Sequence, residues 1–267
     1  MATSIAVASG KGGVGKTSMS VNLSLTFAQM GNKTTLLDAD FGMANAHILL
    51  GVKPNYFISD TLNGKASLSQ TLCSGPVGLK FASGGSGLID MLNLDTKTRY
   101  QTIRLFDEIV DDTDILVADV PAGASDSSLA FVSAADKVLV VLVGEPTSFL
   151  DAYSLIKAAH LEASLTNFSV VVNMTQSEAQ AKAHFDKFKS IVQKFLDVTL
   201  DYVGHLPLSN RLRQSIVTRK PICIDAKDSR ENGCFKKIAK NILNSPKNET
   251  GGVRFFDQQI VRNERVG

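Results

Sequence analysis

The sequence predicts a doubly wound α/β fold, in which a mostly parallel sheet carries helices on both faces. Short runs rich in Val, Ile and Leu alternate with longer segments of helical spacing. The runs lack the apolar–polar alternation of strands that face water on one side, so they are typical of parallel strands buried on both faces. Regular alternation of strand and helix favours parallel pairing.

The composition excludes several classes of protein. The 267 residues include 28 Lys and Arg against 26 Asp and Glu, which gives a net charge of +2 and argues against a histone-like or acidic-tail protein. The three cysteines form no CxxC pair, so neither a zinc site nor a disulfide framework is indicated. The N-terminus has no basic stretch followed by an apolar run, which is the pattern of a signal peptide. We therefore expect a cytoplasmic protein.

The elements are predicted from the apolar runs and from helical spacing. Seven strands are predicted at 4–9, 34–38, 79–83, 115–119, 138–143, 168–173 and 202–206. The principal helical segments are 16–30, 98–110, 149–165 and 179–195. Residues 1–244 form the predicted domain, 245–252 read as a linker rich in Asn, Pro and Gly, and 253–267 form a tail.

A phosphate-binding loop is predicted between the first strand and the first helix. Gly10, Gly15, Lys16 and Thr17 occupy the required places of the pattern GxxxxGK[ST]. Glycines let backbone N–H groups turn toward phosphate oxygens, and the helix N-terminus adds its positive dipole end. The lysine of this pattern reaches the β- and γ-phosphates, and the hydroxyl ligates Mg²⁺. The predicted nucleotide-binding residues here are Gly10, Lys11, Gly12, Gly13, Val14, Gly15, Lys16, Thr17 and Ser18.

Carboxylates follow two of the predicted strands. Asp38 and Asp40 are spaced i, i+2 at the end of the second strand, so they point the same way at the edge where α/β sheets bind ligands. Asp119 ends the strand at 115–119, as in a Walker B motif, and precedes a short turn to Gly123. Thr17 and Asp119 are predicted Mg²⁺ residues, since Mg²⁺ is held by few carboxylates and keeps several waters. Capping of the next helix is the structural alternative for Asp38 and Asp40.

A second lysine at Lys11, in the stretch KGGVGKT, resembles the deviant Walker A motif of the MinD/ParA ATPase family. The resemblance implies that ATP binding produces a sandwich dimer in which this lysine contacts the partner's nucleotide. It also implies catalytic roles for Lys11, Lys16 and Asp40, with Asp40 orienting the attacking water. Asp38 matches the family aspartate near Mg²⁺ and the phosphates, so it joins the predicted Mg²⁺ residues. ATP and Mg²⁺ are then the expected cofactors.

The same resemblance assigns three further residues to the nucleotide. Asn173, at the end of a strand, matches a family asparagine that reads the adenine edge. Pro207 resembles the loop on the other side of the base, and Glu145 resembles a position at the dimer face near the nucleotide.

Within the family, several stretches resemble the flagellar-number regulators (FlhG, FleN or YlxH). They are the stretch DADFGMANAHILLG from Asp38, the stretch EPTSFLDAYSLIK from Glu145, and Phe255–Phe256 near the C-terminus. His47 departs from the acidic residue usual at its position. The resemblance implies slow regulatory ATP hydrolysis, a homodimer, and binding to a GTPase of the FlhF type and a transcription regulator of the FleQ type. Many of these proteins carry an N-terminal DQAxxLR segment that stimulates the GTPase; because this sequence shows none, we expect binding to FlhF without direct activation.

The tail carries the predicted membrane residues. On a helical wheel, Val253, Phe256 and Ile260 fall within about 60° of one another, and Phe255 flanks them. The family resemblance implies an amphipathic membrane-targeting helix, which would place the ATP state at the inner face of the cell membrane. The alternative is a tail packed on the surface of its own domain.

Other functions remain as alternatives. A ParA-like DNA-partition ATPase or a MinD-like cell-division ATPase would share the nucleotide motifs, and a nucleotide-binding scaffold would lack significant hydrolysis. The basic residues Arg211, Arg213, Arg219 and Lys220 form the one candidate DNA patch, but a small net charge does not favour nucleic acid as a partner. The stretch directly after Asp119 contains no cysteine, which argues against an iron protein like that of nitrogenase.

Overall fold

A computed structural model describes residues 2–42, 44–85, 95–249 and 252–257. The described strands are β1 Thr3–Ala8, β2 Thr34–Asp38, β3 Cys73–Ser74, β4 Lys80–Ser83, β5 Ile115–Asp119, β6 Lys137–Val143, β7 Asn167–Thr175 and β8 Thr199–Pro207. The described α-helices are α1 Lys16–Gln29, α2 Ala46–Leu50, α3 Ile58–Leu62, α4 Leu68–Thr71, α5 Thr96–Leu105, α6 Asp126–Ala134, α7 Pro146–Ala163, α8 Glu178–Gln193, α9 Asn210–Val217, α10 Ile222–Asp225 and α11 Arg230–Asn244. No described helix has the length and apolarity needed to cross a membrane.

The strands form one sheet in the order β3-β4-β2-β5-β1-β6-β7-β8. All neighbouring pairs are parallel except β3 with β4. Alternate residues of β1 enter separate apolar clusters on the two faces: Ala6 and Ala8 on one, Ile5 and Val7 on the other. The fold is therefore the predicted doubly wound one, with its phosphate loop at the centre of the sheet.

The seven predicted strands are observed within three residues of their predicted bounds, whereas helices α6, α9 and α11 are not among the principal predicted segments. The two-residue strand β3 was not predicted, because an antiparallel pair of that length has no sequence period. The segment predicted as one helix over 98–110 ends as α5 at Leu105 and continues as a 3₁₀-helix over Phe106–Asp112.

The predicted linker is packed against the domain. Asn248 is 2% exposed, and its backbone N–H donates to the carbonyl of Asp136 at 2.7 Å. Its side-chain amide accepts from the N–H of Asn167 at 3.0 Å and donates to the carbonyl of the same residue at 2.9 Å. The prediction of a linker over 245–252 is wrong at Asn248, because the side chain of Asn248 makes hydrogen bonds at the start of β7.

The described part of the tail is not helical. Phe255 is 3% exposed, and its N–H donates to the carbonyl of Ala134, the last residue of α6, at 3.0 Å. Val253 and Phe256 are partly buried against the same apolar cluster. The assignment of Phe255 to a membrane-facing helix is therefore wrong for this conformation, since the ring finds an internal apolar site. Ile260 lies outside the described residues.

Candidate nucleotide site

The phosphate loop contains four glycines, two of which have open space beside them. Gly13 and Gly15 have φ values of 82° and 87°, and Gly15 is the N-cap of α1. A Cβ added at Gly12 or Gly13 would meet no atom within 4 Å. A Cβ at Gly10 would lie 2.0 Å from the backbone carbon of Asp151 in α7. The loop is thus packed against α7 at Gly10 and open beside Gly12 and Gly13. The N-terminus of α1 that follows it suits an anionic ligand.

Lys16 lies in a buried ion pair at the base of this loop. Its Nζ is 2.8 Å from Oδ1 of Asp119, and the two side chains are 10% and 1% exposed. The hydroxyl of Ser20, one turn along α1, donates to the same oxygen at 2.9 Å. Lys16 and Asp119 are therefore brought together as predicted, with the lysine held at the phosphate loop.

Asp38 lies beside Asp119, and the two carboxylates repel each other while Lys16 attracts them. The two residues are register partners on β2 and β5, and both side chains are buried. Burial raises the pKa of Asp38 to about 7, and repulsion from Asp119 is the second cause of this rise. Its carboxylate accepts the backbone N–H groups of Asp40, Asn45 and Ala46, at 3.2, 2.9 and 2.9 Å. A divalent cation would relieve this repulsion, so the residues present fit Mg²⁺.

The other predicted hydrolysis residues surround the same edge. Asp40 is half-buried on the loop after β2, and Thr17 is half-buried in the first turn of α1. Gly123 approaches the phosphate loop, with its N–H donating to the carbonyl of Ser9 at 2.8 Å. The structure therefore gathers the predicted residues from three separate strand ends.

Lys11 extends from the loop toward the start of α7. Its Nζ lies 2.9 Å from Oε2 of Glu145 and 3.0 Å from the hydroxyl of Thr147. The side chains of Lys11 and Glu145 are 31% and 64% exposed, and such pairs contribute at most about 1 kcal/mol. Lys11 can therefore exchange these partners for others at little cost.

Asn173 and Pro207 line one cavity of about 70 Å³ beside the phosphate loop. Asn173 Nδ2 donates to the carbonyl of Val14 at 2.7 Å, and its Oδ1 accepts from the N–H of Met174 at 2.8 Å. Asn173 is thus an anchor of the loop in this conformation, and its reading of an adenine edge stays a prediction. The cavity is also lined by Gly15, Ser18, Met174, Leu206, Leu208, Ser209, Leu212, Arg213 and Ile216.

Sequence reasoning missed two polar contacts of this site. Ser20 is four residues after Lys16, so helical spacing alone places both on one face of α1. Thr147 lies two residues after Glu145 in the first turn of α7, and no local pattern indicates its bond to Lys11.

Comparison with known proteins places these features in a family. Residues 1–243 match the family model described as ParA: NUBPL iron-transfer P-loop NTPase. The chain is 37% identical over 265 residues to the antiactivator FleN of Pseudomonas aeruginosa, which covers 98% of this chain and 95% of that protein. It is 30% identical over 217 residues to the flagellum site-determining protein YlxH of Helicobacter pylori, covering 81% and 73%.

Solved structures show the same fold. MinD in the MinC:MinD complex of Aquifex aeolicus superposes with a TM-score of 0.77 at 25% identity, covering 91% of this chain and 96% of that one. MinD of Pyrococcus horikoshii with Mg-ADP gives 0.76 at 21% identity, covering 91% and 97%. The matched model, the full-length relatives and the glycine loop with its two lysines lead to one conclusion: the chain belongs to the ParA/MinD family of P-loop ATPases, near the flagellar regulators FleN and YlxH.

Proposed function

We propose that this protein is an ATP-driven switch that regulates the number or placement of flagella. The observation that carries the proposal is Lys11, held on the surface by a weak ion pair at the edge of a complete phosphate loop. Similarity to FleN over nearly the whole of both chains, together with similarity to the flagellum site-determining protein YlxH, supports a flagellar output over other outputs of the family. In this proposal the ATP state is a homodimer, and hydrolysis to ADP and phosphate returns the monomer.

The site's own residues suit phosphoryl transfer to water. ATP bound with Mg²⁺ supplies the phosphoanhydride to be cleaved and charge neutralisation at its oxygens. Lys16, aimed from the loop, would hold the β- and γ-phosphates, while Thr17, Asp38 and Asp119 would hold the cation. Asp40 would orient the attacking water. Lys11 would leave Glu145 to reach the nucleotide of a second copy.

The proposal extends to partners through the relatives. A transcription regulator of the FleQ type is a proposed partner, since the similar protein FleN is named an antiactivator. A GTPase of the FlhF type is a second proposed partner, on the resemblance of the sequence to the flagellar-number regulators. Association of the ATP state with the inner face of the cell membrane is proposed for the chain beyond Asp257. The buried Phe255 would then anchor that segment rather than enter the lipid.

Light-scattering mass of the Asp40→Ala protein tests the switch, with Mg-ADP and with Mg-ATP, each with and without liposomes of anionic lipid. We expect a doubled mass in ATP alone, and cosedimentation with liposomes only in that state. A monomer in ATP would contradict the dimer, and equal liposome binding in ADP would contradict its coupling to the membrane.

The flagellar output is tested by expressing the chain in Pseudomonas aeruginosa that lacks FleN. We expect the wild-type number of flagella per cell to return, and no change with the Lys16→Ala variant. An unchanged count with both proteins would contradict this output. Retention on DNA that falls steeply with salt would favour the alternative of a DNA-partition ATPase, through the basic residues around α9.

A further inference from the structure

Another cavity lies at the outer edge of the sheet, between β8 and the helices α8 and α11. It has a volume of about 210 Å³ and is lined by Glu178, His205, Arg230, Gly233, Cys234 and Lys237. None of these residues lines the cavity beside the phosphate loop. A ligand held at the sheet edge would therefore leave the place of the nucleotide free.

An irregularity in β8 turns two polar side chains toward the same face of the strand. Tyr202 is the register partner of Val170 on β7. His205 is the register partner of Val172, and both valines belong to the same apolar cluster. In a regular strand, residues three apart point to opposite faces. The extra residue Val203 removes that alternation, in the way that bulges re-aim side chains beside binding sites.

Both of these side chains carry a buried polar atom without a partner. Nε2 of His205 and the hydroxyl of Tyr202 make no hydrogen bond within the part of the chain that the structure describes. His205 is 6% exposed, so Nε2 is also kept from bulk water. Burial raises the pKa of Tyr202 to about 12, with Glu178 and Cys234 as further causes, so its hydroxyl remains a donor at neutral pH. Because unpartnered buried polar groups are unfavourable, these two atoms indicate a place for a ligand.

The charged side chains around the cavity favour an anion. Arg230 and Lys237 of α11 both face His205. Glu178 adds a carboxylate to the lining, and that carboxylate pairs with Lys237. Arg230 forms no salt bridge with any described residue. Two cations and one carboxylate leave one positive charge, and the guanidinium of Arg230 is available to an oxyanion.

A phosphate group suits these donors better than a carboxylate does. The hydroxyl and the imidazole come from β8, and the two cations come from α11. A phosphate group offers at least three strong acceptor oxygens, whereas a carboxylate offers two. We propose that the cavity is a binding site for free phosphate or a small phosphate monoester, separate from the phosphate loop. The residues that hold the ligand are Tyr202, His205, Arg230 and Lys237.

Alkylation of Cys234 tests the site, because this thiol lines the cavity and a bound ligand shields it. Protein saturated with Mg-ADP is treated with iodoacetamide at constant ionic strength, and each cysteine is followed by mass spectrometry. The added salt is chloride, acetate, inorganic phosphate or glycerol 3-phosphate. We expect about 20 mM of at least one of the two phosphates to slow Cys234 about fivefold relative to chloride, as for a dissociation constant of about 5 mM. Acetate should have no effect.

The two phosphate samples distinguish the sources of the ligand. Slowing by inorganic phosphate identifies free phosphate, and slowing by glycerol 3-phosphate alone identifies a monoester. Cys73 is the internal control, since it is also partly exposed and lies on β3 at the opposite edge of the sheet. Its rate should be the same in all four salts.

The imidazole nitrogens of His205 give a second measurement in the same titration. Their NMR signals are assigned by their absence in His205→Gln. We expect the Nε2 resonance to shift and saturate with phosphate, and this shift decides the question if Cys234 does not react. Arg230→Gln, a change of an exposed side chain, should abolish both effects. Lys236→Gln is the matched control, because Lys236 is exposed on the same helix but does not line the cavity.

Three results would overturn the site. The first is an unchanged rate at Cys234 together with an unchanged His205 signal in both phosphates. The second is an equal effect of acetate. The third is an effect that survives in Arg230→Gln or is lost equally in Lys236→Gln.

Discussion

At the scale of single residues, the two lysines of the phosphate loop have opposite surroundings. Lys16 is buried and its partner Asp119 is buried with it, so loss of either would leave an unpaired charge in the core. Lys11 is partly exposed, and its partner Glu145 is mostly exposed. Lys16 is therefore held in place by its buried partner, whereas Lys11 can exchange Glu145 for another partner.

Lys11→Ala is expected to leave the free energy of unfolding within about 1 kcal/mol of the wild type, because exposed pairs contribute little. The same change is expected to abolish the doubling of mass in Mg-ATP. Urea unfolding of the nucleotide-free protein and light scattering in Mg-ATP measure the two effects. Lys33→Ala is the control, because it removes the lysine of another exposed ion pair, with Asp112; its dimer should persist. A dimer in Lys11→Ala would exclude this lysine from the interface.

Gly10→Ala is expected to destabilise the fold, because its methyl group would overlap the backbone of Asp151 in α7. Overpacking of this kind costs about 1–3 kcal/mol. Gly12→Ala is the matched control, since its methyl group would meet no neighbour within 4 Å. Urea unfolding without nucleotide compares the two variants. Equal stability would mean that the loop does not rest against α7.

At the scale of elements, the last strand of the sheet carries a buried histidine. A register shift at Val170/Val171 of β7 leaves Val203 of β8 as the extra residue of the irregularity, and His205 follows two residues later. Nε2 of His205 is buried and has no hydrogen-bond partner in the described part of the chain. Burial lowers the pKa of His205 below its ordinary 6.5; Glu178 acts to raise it, and nearby cations act to lower it. The facing cations are Arg230 and Lys237.

The lowered pKa of His205 predicts how stability changes with pH. Below about pH 6.5 the unfolded chain takes up a proton at His205 that the folded protein resists, so this contribution to stability falls as pH falls. His205→Gln removes the effect. We expect the stability of the wild type relative to this variant to decrease between pH 7.5 and 5, as measured by urea unfolding without nucleotide. Parallel curves for the two proteins would show that His205 titrates alike in both states.

Elements and strand-end carboxylates could be predicted because their signals are local. The apolar runs before Asp38 and Asp119 end at those residues, and parallel strands place their carboxyl ends at one edge. Contacts between distant segments have no such signal. Glu145 lies 134 residues from Lys11, and a family resemblance, rather than spacing, placed both near the nucleotide. The helical wheel of the tail failed at Phe255 because periodicity does not indicate whether an apolar face meets lipid or the chain's own core.

At the scale of the whole molecule, the described part of the tail packs against the core of the domain. Phe255 enters the apolar cluster on the α6 side of the sheet, between Phe106 and Phe131. The preceding residues tie the start of β7 to Asp136, next to β6. The packed domain therefore extends to Asp257 among the described residues of this conformation.

Phe255→Ala is expected to lower the free energy of unfolding by about 3–5 kcal/mol, because it removes a buried ring and leaves a cavity between Phe106 and Phe131. Phe195→Ala is the matched control: its ring is 64% exposed, so its loss should cost under about 1 kcal/mol. Urea unfolding of the nucleotide-free monomer gives both values. If the two variants are equally stable, Phe255 is not held in the core in solution, and the tail is free to present this ring to a membrane. If only Phe255→Ala is destabilised, the part of the chain that reaches a membrane has to begin after Asp257. Otherwise residues 253–257 have to leave the core first, at a cost in free energy.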